Sequence, residues 1–180
     1  MMSLLSAPEL IELVKAGVIE GVSGDAINAA SIDLHLGNMF LREKDNAWMQ
    51  TAPVNLAKRE KPEMVSGYDK IMLYPKTFCL ASTREIFHLP NDISGMFIMK
   101  SSLARAGLEH SQAGWADAGW HGSALTLELS NLLSRHSLIL EAGMAIGQII
   151  LFRHTKVDSE HSYAAKGRYN GDRIVSEMKD

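Results

Sequence analysis

The chain has 180 residues, of which 46% are hydrophobic, and this size and composition suit one folded domain. Its formal net charge is −3, so the overall charge predicts neither a nucleic-acid-binding surface nor a membrane-binding one. Cys79 is the only cysteine, which excludes an internal disulfide and fits a reducing compartment such as the cytoplasm. No apolar run is long enough to predict a membrane span or a signal peptide.

The N-terminal segment predicts one amphipathic helix. Ser6 and Glu9 have the spacing of a capping box, and Pro8 fits the first helical turn. Apolar residues then recur at helical spacing until Gly17, which is suited to end the helix. We expect this helix to pack on the core and to take no part in chemistry.

Most of the remaining chain predicts short strands separated by turns. Residues 32–36 alternate between apolar and polar side chains, with Asp33 on the polar face, where it is either solvated or a ligand group. Further apolar runs occupy residues 71–73, 78–83, 93–99, 138–140 and 145–152. Residues 43–69 are mostly polar and predict a long irregular excursion. Short strands at such regular spacing favour a β-sandwich or β-barrel.

A serine-containing segment at residues 100–108 is the first candidate site. The strand at residues 93–99 leads into Ser101 and Ser102, which we interpret as the cap of a short helix ending near Gly107. A helix start offers free N–H groups to an anion, and Lys100 and Arg105 add positive charge. The alternative is a capped helix with two solvated cations.

The segment Leu-Thr-Leu-Glu-Leu-Ser-Asn at residues 125–131 is the second candidate site. Its leucines predict a strand face in the core, so Thr126 and Glu128 face the opposite side together. Glutamate is uncommon among strand leucines. The alternative is an ordinary carboxylate on a solvated strand face. A turn-rich stretch at residues 113–122 precedes this strand and carries one carboxylate, Asp117.

Three motifs follow one another along the chain: Ser-Ser-Leu-Ala-Arg, the turn Asp-x-Gly-Trp-x-Gly and the strand Thr-Leu-Glu. Their order is the one found in the dCTP deaminase family. The chain therefore resembles that family, which shares its fold with trimeric dUTPases. The resemblance implies a single mainly β domain over residues 1–180, a distorted β-barrel or jelly roll of the dUTPase-like type with an N-terminal amphipathic helix. It also implies a homotrimer with active sites at subunit interfaces.

The polar tail at residues 154–180 has two interpretations. Its lack of a periodic pattern favours disorder from composition alone. The resemblance instead implies a C-terminal lid that folds over the nucleotide.

The resemblance also implies an activity, the hydrolytic deamination of dCTP to dUTP and ammonia. Glu128 is the implied proton-transfer residue, and Ser101 and Arg105 are its implied catalytic neighbours. A chain with one cysteine lacks the Cys-x-x-Cys pair of zinc deaminases, so no zinc is expected. Mg²⁺ is expected only through the substrate triphosphate. The implied substrate-binding residues are Lys100, Ser102, Ala113, Asp117, Thr126, Leu127, Tyr163, Lys166, Arg168 and Asp172.

Alternative functions are a bifunctional dUMP-forming deaminase, a dUTP diphosphatase and a catalytically silent nucleotide-binding regulator. Relative to typical family members, the chain is slightly short before Asp117 and slightly long before Glu128, where Ser123 or Ala124 is expected to form a bulge. We expect this to move Asp117 away from a phosphate-hydrolysing position, so that dUTP accumulates.

Two further features bear on the site. Asp172 replaces a glutamine found in many family members, and its carboxylate would repel phosphate unless Mg²⁺ bridges the two. The seven histidines show no metal-ligand spacing, and we interpret them as surface or structural residues.

Overall fold

The computed structural model describes residues 3–44 and 53–179, most of which lie in strands and turns. In chain order the elements are β1 (Ser3–Leu4), α1 (Ala7–Lys15), β2 (Ile19–Glu20), β3 (Ile32–His35), β4 (Met39–Glu43), β5 (Met64–Tyr68), β6 (Lys70–Leu73), β7 (Phe78–His88), β8 (Ile93–Met99), α2 (Ser101–Arg105), β9 (Leu108–His110), β10 (Trp115–Ala116), β11 (His121–Asn131), β12 (Leu138–Glu141), β13 (Ala145–Arg153) and α3 (Tyr163–Lys166). Short 3₁₀ turns lie at Gly24–Ala26 and Leu56–Lys58. Among the described residues, no helix is both long and apolar enough to cross a membrane.

Helix α1 begins as the sequence predicts. The backbone N–H and the hydroxyl of Ser6 both donate to Oε2 of Glu9, at 3.0 and 2.9 Å. The backbone hydrogen bond is the larger cause of the lowered pKa of Glu9, followed by the hydroxyl. Leu10 is fully buried, so the apolar face of α1 packs on the core.

The strands build two larger sheets and one two-stranded ribbon. In the first sheet β13 pairs with β1, β3 and β8, and β10 extends the sheet beyond β8. In the second, β7 pairs with β2, β4 and β11, while β5 and β9 form the outer strands. The ribbon consists of β6 and β12. The described strands thus form distorted sheets of the jelly-roll type and no closed barrel, which confirms the predicted mainly β class.

One hydrophobic core receives side chains from both larger sheets. Leu34 and Ile149 come from the first sheet and Phe40, Phe87 and Leu127 from the second, and all five are fully buried. Burying each such side chain stabilises the fold by about 1.5–3 kcal/mol relative to leaving it exposed. The alternation of apolar residues predicted from the sequence therefore places the core correctly.

The pairing of β7 with β11 is regular beside Glu128 and irregular further along. Glu128 lies opposite Leu80, and the register then shifts between Ala124 and Thr126. Where the regular ladder breaks, the Leu125 N–H donates to the Thr83 hydroxyl at 2.9 Å. A second shift lies between residues 121 and 123. The two register shifts therefore flank Ser123 and Ala124, where the irregularity is expected, and the pairing around Glu128 stays regular.

The excursion expected over residues 43–69 is only partly irregular. The five residues Met64–Tyr68 form β5, which pairs with β4 along its length. The prolines and polar residues before β5 concealed this strand from the sequence pattern. Residues 45–52 of the expected excursion lie outside the described residues.

The single cysteine occupies the middle of the second sheet. Cys79 of β7 lies opposite Leu129 of β11 on one side and Arg42 of β4 on the other. Its side chain is fully buried, and burial raises the pKa of the thiol to about 12. The reactive thiolate is therefore scarce at neutral pH.

Candidate active site

A cavity of about 300 Å³ opens beside β11, where that strand leaves its regular pairing with β7. Its walls come from the turn before β11, from β11 itself and from the C-terminal tail. The lining residues are Ala113, Trp115, Ala116, Asp117, Trp120, Ala124, Leu125, Thr126, Glu128, Tyr163, Tyr169, Asp172 and Ser176. Aromatic rings together with a few carboxylates and hydroxyls suit a small planar ligand that carries polar groups.

Strand β11 presents Glu128 to the cavity. Leu127 and Leu129 are fully buried in the core, while Thr126 and Glu128 are half-buried and line the cavity. This alternation confirms the predicted division of the strand into two faces. The Glu128 side chain is 27% exposed, so its carboxylate is reachable yet partly removed from water.

His110 is the cavity neighbour that the sequence did not identify. Its Nε2 lies 3.2 Å from Oε2 of Glu128, and its side chain is 5% exposed. Neither atom has a hydrogen-bond partner of good geometry among the described residues. The interpretation of the histidines as surface or structural residues gives no reason to select His110. Glu128 lies 18 positions further along the chain, and only the pairing of β9 with β11 brings the two together.

The turn before β11 holds Asp117 at the cavity. Nε1 of Trp115 donates to Oδ1 of Asp117 at 2.8 Å, which orients the carboxylate. The next tryptophan, Trp120, is buried and stacks on Phe87, with ring centroids 5.2 Å apart. The turn is therefore anchored in the core on one side and presents its carboxylate on the other.

The same turn fits closely against the C-terminal tail. Gly119 has φ +87°, and a Cβ there would lie 2.0 Å from Oγ of Ser162 and 2.7 Å from Oδ1 of Asn91. Ser162 in turn donates to Asn91 at 2.7 Å. Glycine is needed here both for the backbone conformation and for the close approach.

The tail is ordered against the cavity walls by backbone hydrogen bonds. The Tyr163 N–H donates to the carbonyl of Ala118 at 3.0 Å, and the Ala124 N–H donates to the carbonyl of Asp172 at 2.8 Å. The carbonyl of Tyr169 accepts from Nε1 of Trp120 at 3.0 Å. These contacts, with α3, oppose the interpretation of the described tail as disordered. Its role as a lid is a separate proposal.

Two tail residues at the cavity carry perturbed or unsatisfied polar groups. The pKa of Tyr163 is raised, chiefly by burial of its ring. Oδ1 of Asp172 pairs with Nζ of Lys179 at 2.6 Å, whereas its buried Oδ2 has no partner among the described residues. Lys179 therefore offsets part of the negative charge that Asp172 brings to the cavity.

The serine-containing segment does not reach the cavity of its own chain. Ser101, Ser102 and Arg105 are exposed and absent from the cavity lining. Arg105 has no ion pair or hydrogen bond from its guanidinium to the described residues. The predicted serine cap is wrong, because Lys100 keeps an extended backbone after β8 and becomes the N-cap, which places both serines inside the first turn.

Lys100 is bound to a residue of β3. Its Nζ donates to Oδ2 of Asp33. The other carboxylate oxygen, Oδ1, accepts hydrogen bonds from Gln148 at 3.0 Å and Asn28 at 2.9 Å. Partial burial alone would raise the pKa of Asp33, but these three hydrogen bonds outweigh it and leave that pKa below its usual value. Asp33 is thus neither freely solvated nor placed in the cavity, and Lys100 is already paired.

The structure separates the predicted site residues into two groups. The cavity brings together Ala113, Asp117, Thr126, Glu128, Tyr163 and Asp172. Outside its lining lie Lys100, Ser101, Ser102, Arg105, Leu127, Lys166 and Arg168. Lys166 and Arg168 are exposed on the tail. Over residues 3–44 and 53–179, no group of three or more histidine, cysteine, aspartate or glutamate side chains is arranged to hold a metal ion.

Comparison with known proteins agrees with the family motifs. Residues 4–154 match the family model described as dCTP deaminase-like. A relative from Acidothermus cellulolyticus, named "dCTP deaminase, dUMP-forming", is 38% identical over 82% of this chain and 78% of its own length. A relative of the same name from Mycobacterium ulcerans is 35% identical over 94% of this chain and 92% of its own.

The fold also resembles a solved structure. The 2'-deoxycytidine 5'-triphosphate deaminase from Agrobacterium tumefaciens superposes with a TM-score of 0.65 at 19% identity. The match covers 84% of this chain and 48% of that protein, so this chain spans about half of its length. At this identity the likeness shows a shared fold.

Proposed function

Because the chain belongs to the dCTP deaminase-like family, we propose that it hydrolyses the 4-amino group of dCTP, with Glu128 as the proton-transfer residue. The observation that carries this proposal is the partly buried Glu128 carboxylate on the wall of an aromatic cavity. A carboxylate below a pyrimidine ring has no role in cleaving a phosphate chain, so Glu128 favours deamination over a plain dUTP diphosphatase.

The chemistry requires one group that both accepts and donates protons. Glu128 takes a proton from water as the water oxygen bonds to C4 of cytosine, and it passes that proton to N3 of the ring. It then takes the proton of the new hydroxyl and gives it to the amino group, while the C4–N bond breaks and ammonia leaves. Neighbouring dipoles orient the water and stabilise the charge that develops on the ring.

Residues around Glu128 suit the other parts of the nucleotide. Backbone groups of Thr126 and Leu127 would recognise the edge of the base, and the backbone of Ala113 would hold the attacking water. Asp117, oriented by Trp115, would contact the deoxyribose.

The triphosphate would meet cationic and polar groups of the serine-containing segment and the tail. Ser102, Tyr163, Arg168 and Lys166 are proposed for this contact. Lys100 joins them only if phosphate competes successfully with Asp33 for its ammonium group.

The separation of α2 from the cavity supports a shared site. Ser101 and Arg105 are exposed on the short helix α2, and Arg105 is unpaired within the described part of the chain. We propose a homotrimer in which α2 of one subunit completes the cavity of a neighbour, so that Arg105 and Ser101 act beside the neighbour's carboxylate. The tail would then serve as a lid over the cavity of its own chain.

We propose that magnesium enters the cavity as a partner of the triphosphate. The buried Oδ2 of Asp172 has no hydrogen-bond partner among the described residues, and carboxylate oxygens are the ligands that Mg²⁺ prefers. When bound, Mg²⁺ would neutralise part of the triphosphate charge near this oxygen. The proton transfer by Glu128 is proposed to proceed without a metal.

Two products are consistent with this site, dUTP and dUMP. The length changes around Asp117 favour dUTP as the released product. The names of the curated relatives favour dUMP, and Asp117 lies in the same cavity as Glu128. Formation of dUMP would need Asp117 to activate a second water in line with the α-phosphate.

Product analysis tests both the proposed deamination and the identity of its product. Purified protein is incubated with dCTP and separately with dUTP in the presence of Mg²⁺, and nucleotides are separated by chromatography. We expect wild type to consume dCTP and Glu128→Gln to bind dCTP but lose at least about a hundredfold in turnover, since proton transfer contributes on that order. The matched control is Glu141→Gln, whose carboxylate instead pairs with Lys70 at 2.7 Å.

Each outcome has a distinct meaning. Nucleotide binding without any turnover of dCTP or dUTP by wild type would identify a silent regulator. Turnover of dUTP alone would identify a diphosphatase. If wild type forms dUMP from both nucleotides while Asp117→Asn stops at dUTP, the enzyme is bifunctional.

A further inference from the structure

We propose that His110 is a positioning residue for the reaction, whose imidazole holds the Glu128 carboxyl group and shares a proton with it. This inference rests on the proposed deamination, in which Glu128 carries the protons. It adds a residue outside the motifs that identify the family site.

The backbone fixes the two side chains next to each other. His110 is the last residue of β9 and lies opposite Leu129, the residue that follows Glu128. The Ser111 N–H donates to the carbonyl of Glu128 at 3.1 Å, so the strand pairing continues past His110. The imidazole also packs edge-on against the buried ring of Phe97, with centroids 4.8 Å apart at 60°. Movement of the imidazole is therefore restricted on two sides.

The contact between the two side chains requires a proton. Nε2 of His110 and Oε2 of Glu128 are 3.2 Å apart and both are buried, yet neither has a well-aligned hydrogen bond to any described residue, the other one included. A bare nitrogen lone pair facing an ionised carboxylate at this distance, away from water, would be strongly unfavourable. A proton therefore lies on one of the two atoms, on Nε2 or on Oε2. Catalytic hydrogen bonds of this kind commonly tighten when substrate binds.

This pairing suits the proton cycle of Glu128. With Oε2 held by His110, Oε1 is left to exchange protons with water, N3 and the leaving amino group. His110 gains no net proton over the cycle, so the balance of the reaction is unchanged. Its contribution is to keep the carboxyl group in one orientation and to stabilise whichever protonation state each step needs.

Other titratable groups lie nearby without bonding to either atom. The carboxylate of Glu109 accepts the backbone N–H of His110 at 3.1 Å. The cavity lining adds the titratable residues Asp117, Tyr163, Tyr169 and Asp172, and Arg105 lies on α2, which packs on β9. The contact of His110 with Glu128 is therefore the direct one, and the other groups act on it only through their charges.

The test compares two substitutions with a matched surface pair. His110→Leu removes the polar contact, whereas His110→Gln keeps a neutral donor and cannot titrate. We expect His110→Leu to lower kcat for dCTP about a hundredfold while KM changes less than about threefold, because misplacement of a reacting group acts on kcat. The kcat of His110→Gln should be at least about tenfold higher than that of His110→Leu. The pH–rate profile of His110→Gln should lack the limb that the His110–Glu128 pair produces in wild type. The control is His88→Gln, which removes a similar His–Glu contact of 2.7 Å to Glu20 outside the cavity lining.

The inference is overturned if kcat of both variants stays within about threefold of wild type, or if His110→Gln keeps the wild-type pH profile. Should His110→Leu fail to fold, the pH profile of His110→Gln decides alone. NMR titration of the His110 imidazole in wild type and Glu128→Gln gives a readout that needs no turnover. If the midpoint differs between wild type and Glu128→Gln but wild type does not deaminate dCTP, the two side chains are coupled and the proposed function has failed. An unmoved midpoint in an active enzyme overturns the inference and leaves the proposed function standing.

Discussion

At the scale of single residues, charges in this protein are stabilised by few and specific partners. Asp33 is the clearest case outside the cavity, because Lys100, Gln148 and Asn28 all donate to it. A pKa held below its usual value means that the ionised carboxylate stabilises the folded state. That stabilisation is complete above the unfolded-state pKa of about 3.9 and is lost as pH falls through the lower folded-state value.

The lowered pKa of Asp33 gives a prediction for the stability of Asp33→Asn. At pH 7 the variant should lose about 2 kcal/mol in free energy of unfolding, because Lys100 keeps a partly buried charge without its partner. At an acidic pH below the unfolded-state pKa of about 3.9, the difference between variant and wild type should shrink. Urea denaturation at the two pH values measures both. The control is Glu12→Gln, which breaks the exposed pair with Lys15 and should change little. An equal loss for Asp33→Asn at both pH values would contradict the pKa direction.

At the scale of elements, the turn and the tail depend on each other through Gly119. Gly119→Ala should cost about 1 kcal/mol for its left-handed backbone and about 1–3 kcal/mol more for the contact of the new Cβ with Ser162. We expect thermal denaturation to show this loss and proteases to cleave the tail faster, because Ser162 caps α3.

Gly143→Ala is the matched control for this prediction. Gly143 has φ +78°, and a Cβ there meets no atom within 4 Å, so only the backbone cost applies. Equal destabilisation by both substitutions, with an equally resistant tail, would show that the turn does not hold the tail.

The sequence predicts elements wherever local pattern and packing agree. The alternation around Leu127 and Glu128 and the capping box at Ser6 and Glu9 both specify their structures locally, and both were predicted correctly. Short β5 was missed because its pairing with β4 depends on a partner outside its own segment. The same reason hid the contact of His110 with Glu128 and the hydrogen bonds that order the tail.

At the scale of the whole molecule, the separation of α2 from the cavity makes the proposed trimer testable by complementation. Arg105→Ala and Glu128→Gln should each be inactive alone. The two variants are dissociated, mixed in equal amounts and reassembled. If Arg105 of one subunit serves Glu128 of its neighbour, the mixture should regain about a quarter of wild-type activity, because random assembly leaves both residues intact at that share of the sites.

Light scattering supplies the second measurement. The assembly should have about three times the chain mass of 19.8 kDa. A fully active monomer, or mixtures that stay inactive although subunits exchange, would show that each chain builds its site alone.

The burial of Cys79 also makes the time course of opening measurable in the unmodified protein. Because this thiol lies in the middle strand of the second sheet and its pKa is raised to about 12, a thiol reagent must await separation of β7 from its neighbours. Labelling in native buffer should therefore be slow, and it should accelerate with denaturant as global unfolding does. Since the chain has one cysteine, each labelled molecule records one such opening event. At reagent concentrations at which labelling outpaces reclosing, mass spectrometry of samples taken over time gives the opening rate.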